Sequence, residues 1–292
     1  MTPAPLTPAA RPDASLSIGR GGEPPPVPRG LDSFPLNDGG RCFTDGRTYH
    51  LDIEGSRVLI GPRSPCVVEV WVSDGPAEPA PAALAQIIFN AFSGAARRCG
   101  LFELHSAGVV EPASGRGVLL AGASGSGKST LTLQLAAAGW GYLSDDVLLL
   151  SERAGRAEAR PLRRVFAATE TTVAAAGLDG GLMSPANFKL RFAPQAFFPE
   201  GFCESSLPEV LFFPSVTHER ESSVGTVSQP EALARLLKMC PWACYDRPSS
   251  AGYLRALSLL AKQCRAYELR AGTDLLADPA RAAGLLAAHV GR

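Results

Sequence analysis

The stretch AGASGSGKST, residues 121–130, decides how this chain is interpreted. From Gly122 to Ser129 it matches the spacing G-x-x-x-x-G-K-[ST] of phosphate-binding loops. Glycines let successive backbone N–H groups curl around a phosphate, and a helix that begins at Lys128 would aim its positive dipole end at the same anion. The apolar run VLLA before the loop predicts a strand, and TLTLQLAAA after it predicts a helix. We therefore expect the chain to bind a nucleoside triphosphate.

The loop also predicts which side chains meet the nucleotide. Lys128 is expected to reach the β and γ phosphates, and the Ser129 hydroxyl is expected to ligate Mg²⁺. The expected ligands are therefore ATP and Mg²⁺. The predicted nucleotide-binding residues are Gly122, Ala123, Ser124, Gly125, Ser126, Gly127, Lys128, Ser129 and Thr130. GTPases and transporter ATPases are disfavoured, because the chain lacks an Asn-Lys-x-Asp base reader and a Leu-Ser-Gly-Gly signature.

An acidic pair follows in LSDDV, where Asp145 and Asp146 lie 17 and 18 residues after Lys128. An aspartate at the end of the strand next to the loop can reach the γ-phosphate. Two adjacent carboxylates can divide the work, one binding Mg²⁺ and the other taking the proton of an attacking hydroxyl. A purely structural pair, with one aspartate capping a turn and the other solvated, is the alternative interpretation.

A histidine precedes the loop in a predicted hairpin. The apolar runs ELHSAGVV and GVLLAG flank the turn-forming stretch EPASGRG. With Ser114 at the centre of the hairpin, His105 would lie opposite residue 123, at the opening of the glycine loop. We therefore count His105 as a candidate catalytic residue, the alternative being a structural histidine.

Composition limits the range of partners and locations. The 292 residues carry 28 basic and 28 acidic side chains, so the chain shows no electrostatic footprint for nucleic acid or an anionic membrane. No apolar run reaches the roughly 20 residues that a membrane span needs. The N-terminus lacks the apolar core of a secretory signal, so the cytoplasm is the expected location.

The chain is predicted to have one tail and one domain. Residues 1–36 are rich in Pro, Gly, Ala and Ser, which predicts a flexible tail. Residues 37–292 are predicted to form a single α/β domain, because no linker-like composition interrupts them. Its first part reads as strands, in TYHLDI, SRVLIG and CVVEVWV, and a helix is predicted with Pro81 near its start and Gly100 just past its end. Later helices are predicted to begin after caps at Ser228 and Asp278.

Taken together, LHSAGVV, GASGSGKST and GYLSDDV resemble the catalytic domain of the HPr kinase/phosphorylase family and its small bacterial relatives. The resemblance implies a P-loop fold related to the ATP-dependent phosphoenolpyruvate carboxykinases, with a central mixed β-sheet flanked by helices and a β-rich N-terminal part. It matches His105 to the family histidine and Asp145 to the aspartate that activates the acceptor serine. It places Asp146 on the metal side, together with Ser129.

The chain also departs from the family pattern. The Glu-Ile-x-Gly-x-Gly-like signature of the bifunctional HPr enzymes is absent after the aspartate pair, and Glu170 is the nearest substitute for its acidic residue. Further along, Lys189 and Arg191 fall on one face of a predicted strand. They could clamp a phosphate or form a solvated face.

The resemblance implies an ATP-dependent kinase that phosphorylates a serine or another hydroxyl of a protein or peptide, such as a ribosomally made peptide precursor. A small-molecule kinase is the first alternative, although such enzymes usually begin almost at their phosphate loop, whereas about 120 residues precede it here. A non-catalytic nucleotide-sensing module is the second. The sequence leaves the oligomeric state open, with a homo-oligomer as one option.

Overall fold

The structure, a computed structural model, describes residues 13–22, 24–36, 39–62, 65–74, 79–178, 183–186 and 189–291. Contacts within the chain divide it into two compact units. The first comprises residues 1–102 and 242–253, and the second comprises residues 103–241 and 254–292. Composition predicted one domain instead, because no stretch of linker-like residues marks the division.

The first unit contains a six-stranded sheet with the strand order β1-β6-β5-β4-β3-β2. This confirms the predicted β-rich N-terminal part. Its strands are β1 (Ala14–Arg20), β2 (Asp32–Pro35), β3 (Arg41–Thr44), β4 (Tyr49–Ile53), β5 (Ser56–Ile60) and β6 (Cys66–Val72). Helix α1 (Pro81–Arg98) begins at the predicted proline, and its buried side chains pack with those of β4, β5 and β6.

Strands β1 and β2 lie in the stretch where composition predicted a flexible tail. Strand β1 runs parallel to β6, from the pair Ala14 and Cys66 to the pair Arg20 and Val72, and β2 pairs with β3. Most side chains of β1 are exposed, so backbone pairing with a strand far along the chain orders this segment. A compositional window cannot detect such a partner. Residues 1–12 of the predicted tail lie outside the described residues.

The second unit is built on a mixed six-stranded sheet with the order β10-β8-β9-β16-β18-β17. Strands β9, β16 and β18 are mutually parallel, whereas β8 and β17 run antiparallel to their neighbours. The fold of this unit is therefore mixed α/β. Its central strands are β8 (Ser106–Val110), β9 (Gly117–Ala121), β10 (Gly141–Ser144), β16 (Pro208–Val216), β17 (Ser223–Val227) and β18 (Arg265–Ala271).

Helices α2 (Lys128–Ala137) and α8 (Pro279–Val290) bury their apolar side chains in the same core as strands β8, β9, β16 and β18. The predicted caps at Ser228 and Asp278 are confirmed, since both side chains accept hydrogen bonds from backbone N–H groups of the following turn. The other helices among the described residues are α3 (Glu170–Ala175), α4 (Gln229–Met239), α5 (Trp242–Tyr245), α6 (Arg247–Gln263) and α7 (Thr273–Ala277), of which α5 and the start of α6 belong to the first unit. No helix in the described part of the chain is long and apolar enough to cross a lipid bilayer.

Two three-stranded sheets complete the architecture, with the orders β12-β11-β7 and β13-β15-β14. Their strands are β7 (Phe102–Leu104), β11 (Leu148–Arg153), β12 (Arg156–Pro161), β13 (Phe166–Ala168), β14 (Ser184–Ala186) and β15 (Lys189–Phe192). The second of these sheets packs Phe166 and Phe192 into an apolar cluster that also contains Leu133 of α2 and Tyr142 of β10. It therefore shares a core with the two elements that flank the candidate site.

Candidate active site

Strand pairing brings three predicted site segments to one edge of the central sheet. Strand β8 lies between β9 and β10 and is antiparallel to both, with Ser106 opposite Ala121 and Gly108 opposite Ser144. The start of β8 therefore lies beside the ends of β9 and β10. His105 precedes β8, the glycine loop (residues 122–127) follows β9, and the aspartate pair follows β10.

The observed hairpin differs from the predicted one by a single residue. Continued by one position, the pairing of Ser106 with Ala121 sets His105 opposite Gly122 rather than residue 123. The sequence predicted that the aspartates end the strand next to the loop strand β9, and this prediction was wrong. They follow β10, which is not paired with β9. The hairpin partner β8 separates β9 from β10, and the site is assembled across it.

The glycine loop has a backbone that favours glycine at two positions. Gly125 and Gly127 have φ values of 82° and 94°, in the left-handed region that residues with a Cβ rarely adopt. Gly127 is also the residue before helix α2, and no side chain caps this helix start. A Cβ placed on Gly122 would lie 2.7 Å from the Ser126 hydroxyl oxygen. The loop therefore favours glycine at Gly125 and Gly127 through its backbone, whereas a Cβ at Gly122 would require the Ser126 hydroxyl to move.

Lys128 is held inside this loop by the loop itself. Its side chain is almost fully buried, and its Nζ donates to the carbonyl oxygens of Gly122, at 2.7 Å, and Ala123, at 2.9 Å. Burial lowers the pKa of Lys128. The positive charge of Lys189 lowers it further, whereas the charges of Asp146 and Asp145 oppose the shift.

These features fit a bound phosphate. The Ser126 hydroxyl oxygen is buried and has no hydrogen-bond partner among the described residues. The uncapped start of α2 presents backbone N–H groups, and the Lys128 ammonium lies beside them. The loop thus collects hydrogen-bond donors and positive charge in one place, which is the chemistry that a phosphate requires.

Asp145 points inward and is only 3% exposed. Its Oδ2 accepts a hydrogen bond from the backbone N–H of Ala167 at 3.1 Å, and the Ser129 hydroxyl lies close enough to influence the pKa of the carboxyl. Burial raises its pKa to about 6, and the neighbouring charge of Asp146 acts in the same direction. The hydrogen bond from Ala167 and the nearby Ser129 hydroxyl offset part of this shift. Asp145 is therefore a buried carboxylate that lies close to the start of α2.

Asp146 points toward solvent, with 33% of its side chain exposed. Its Oδ1 lies 3.1 Å from His105 Nδ1, and its Oδ2 lies 2.9 Å from a guanidinium nitrogen of Arg163. Burial acts to raise its pKa, but the hydrogen bond and charge of His105, together with the charge of Arg163, outweigh burial and lower the pKa. Asp146 is therefore kept ionised by its two neighbours, the Arg163 guanidinium and the His105 imidazole.

Ser129 lies beside Asp145 and lowers the pKa of its carboxyl, whereas the sequence prediction placed Asp146 on the metal side with Ser129. The Thr130 hydroxyl contacts the Thr172 hydroxyl of α3 at 3.1 Å. Glu170, the first residue of α3, and the pair Lys189 and Arg191 on β15 are all exposed.

Sequence reasoning missed Arg163 as a site residue. It lies in the stretch PLRRVF, which matches no motif. Its contact with Asp146 depends on the chain turning back after β12. The sequence signal that could have identified this residue is the pair of consecutive arginines, Arg163 and Arg164, just before the apolar strand β13.

The opposite pKa shifts of the two aspartates predict opposite effects on stability. The folded-state pKa of Asp145, about 6, exceeds its ordinary value of 3.8, so its stabilising contribution is complete below pH 3.8 and is lost as the pH rises through 6. Asp145→Asn should therefore raise the free energy of unfolding at pH 7.5 by about 1–3 kcal/mol, and the gain should vanish near pH 4. Urea unfolding at the two pH values measures this difference.

Asp146→Asn is the matched comparison. Its lowered pKa stabilises the fold above the ordinary value of 3.8, and this contribution is lost as the pH falls through the folded-state pKa. The variant should therefore be less stable than the native protein at pH 7.5. A destabilised Asp145→Asn at pH 7.5 would contradict the assigned environment of that carboxylate.

Comparison with known proteins adds little to this geometry. No protein-family model matches the chain, and no curated protein matches it. Among solved structures, the chain is similar to the Hpr(Ser) kinase/phosphatase from Coxiella burnetii, with 16% sequence identity and a TM-score of 0.29. That match covers 43% of this chain and 77% of the other. A likeness of this size decides neither fold nor function, which rest on the contacts described above.

Proposed function

We propose that the protein is a cytoplasmic ATP-dependent kinase that transfers the γ-phosphate to a serine or another hydroxyl of a protein or peptide. The observation that carries the proposal is the convergence of three groups at one sheet edge: the glycine loop with Lys128, the buried Asp145 beside Ser129, and the partly exposed pair of Asp146 and His105. Phosphoryl transfer needs chiefly positioning and charge stabilisation, and these groups supply both.

In this proposal the glycine loop binds the phosphates of ATP. The backbone N–H groups at the start of α2 and the Ser126 hydroxyl would donate to phosphate oxygens. Lys128 would exchange its hydrogen bonds to the carbonyls of Gly122 and Ala123 for contacts with the β and γ phosphates. Since its Nζ already lies in the loop, little rearrangement of the chain is needed.

Ser129 and Asp145 would hold Mg²⁺. Proteins bind Mg²⁺ through one or two carboxylates together with substrate phosphates, rather than through a complete protein cage. Asp145 fits the role because it is buried, lies close to Ser129 and has no ion-pair partner among the described residues. When bound, Mg²⁺ neutralises negative charge on the phosphate oxygens.

The pair of Asp146 and His105 would serve the acceptor. Both side chains are about one-third exposed, so a hydroxyl on an incoming polypeptide can reach them. The hydroxyl oxygen forms a bond to the γ-phosphorus as the bond from that phosphorus to the bridging oxygen of ADP breaks. The hydroxyl proton passes to the Asp146–His105 pair. The lowered pKa of Asp146 keeps its carboxylate ionised and therefore free of a proton before transfer. This division of roles reverses the one that the family resemblance implies.

Conservative variants of the two aspartates separate these roles. Asp146→Asn should bind ATP and Mg²⁺ with little change but transfer phosphate about 10²–10⁴-fold more slowly, because a proton acceptor is lost. Asp145→Asn should instead raise the Mg²⁺ concentration needed for half-maximal rate. Steady-state rates measured over a Mg²⁺ titration distinguish the two effects. The opposite pattern would restore the roles implied by the resemblance, and two silent variants would make the pair structural.

Transfer of label from γ-labelled ATP tests the proposed function itself. The protein is incubated separately with a peptide pool and a metabolite pool, and products are identified by mass spectrometry. We expect label on peptide serine or another peptide hydroxyl, and a greatly reduced yield with Asp146→Asn. Label found only on a metabolite would indicate a small-molecule kinase. Binding of ATP without transfer to either pool would indicate a nucleotide-sensing module.

A further inference from the structure

Strand β15 presents two cations on one exposed face. In the small sheet, Phe192 lies opposite Phe166 and Leu190 lies opposite Ala168, and these side chains belong to or pack against the aromatic core. Because side chains alternate along a strand, Lys189 and Arg191 occupy the other face, and both are exposed. We call this pair the β15 cationic face.

The β15 cationic face has no acidic partner among the described residues. Neither Lys189 nor Arg191 forms an ion pair there, whereas many other arginines of the same unit do. Two residues apart on a strand, their Cα atoms are about 7 Å from each other. Like charges at this spacing repel weakly, and an anionic ligand would relieve that repulsion.

This face lies beside the candidate active site. Arg191 is directly opposite Ala167, whose backbone N–H donates to Asp145. The charge of Lys189 also reaches Lys128, since it adds to the effect of burial in lowering the pKa of that ammonium. A third cation, Arg163, lies just before β13 and contacts Asp146. The two free cations are thus placed where a polypeptide that presents a hydroxyl to Asp146 would pass.

We infer that Lys189 and Arg191 bind acidic side chains of the acceptor polypeptide that flank the phosphorylated hydroxyl. The inference rests on the proposed function and specifies its substrate class. The nucleotide phosphates have their own donors in the glycine loop, including Lys128 and Ser126, so the β15 cationic face remains available for a second anion. Two charge-assisted contacts of this kind correspond to about a 10–100-fold effect on kcat/KM.

The test compares serine peptides that differ only in the residues flanking the serine, which are acidic, neutral or basic. Initial rates with γ-labelled ATP are measured for the native protein, the double variant Lys189→Glu/Arg191→Glu and the control Lys262→Glu. Lys262 is an exposed lysine of α6 outside the candidate site. The native protein and the control should prefer acidic flanks by about 10-fold or more. The double variant should prefer basic flanks, and its change in peptide preference should be much larger than any rise in the KM for ATP.

Each other outcome has a definite meaning. Equal rates for the three peptide sets, or an acidic preference retained by the double variant, would overturn the inference and leave the kinase proposal intact. A raised KM for ATP with no change in peptide preference would assign the cationic face to the nucleotide and also overturn it. Absence of label on every peptide, with ATP still bound, would refute the proposed function, and the inference with it.

Discussion

The placement of β8 between β9 and β10 is the constraint on which the candidate site depends. Because β8 is antiparallel to both neighbours, one sheet edge carries its first residue together with the last residues of the other two strands. A parallel strand in that position would place His105 at the opposite edge from the glycine loop and the aspartates. The hairpin register fixes His105 opposite Gly122, and the β10 pairing fixes where the aspartate pair begins.

The adjacent residues Asp145 and Asp146 have opposite environments and opposite pKa shifts at this sheet edge. Asp145 and Asp146 lie in a bend directly after β10, where Asp145 turns toward Ser129 and Ala167 while Asp146 turns toward His105 and Arg163. Burial raises the pKa of the first, and flanking positive charge lowers the pKa of the second. Two chemically identical side chains can therefore take two roles, one beside the metal and one beside the acceptor.

Local signals predicted the local structure well. The turn-forming stretch EPASGRG located the hairpin and set His105 within one residue of its observed position, and the caps at Ser228 and Asp278 marked two helix starts correctly. Features that depend on distant pairing were not predictable. These include the separation of β9 from β10, the contact of Arg163 with Asp146 and the strand β1, which is ordered by β6. Each is set by backbone pairing or chain reversal that leaves no periodic pattern in its own segment.

The central claim is that the glycine loop binds nucleotide phosphates through Lys128. Isothermal titration calorimetry with ATP and Mg²⁺ on the native protein and on Lys128→Ala tests it most directly, with Lys262→Ala as the control for loss of an exposed lysine. Measurable binding is expected for the native protein and the control, and a large loss of affinity for Lys128→Ala, because the loop loses its buried ammonium. Near-unchanged affinity in Lys128→Ala would contradict the claim.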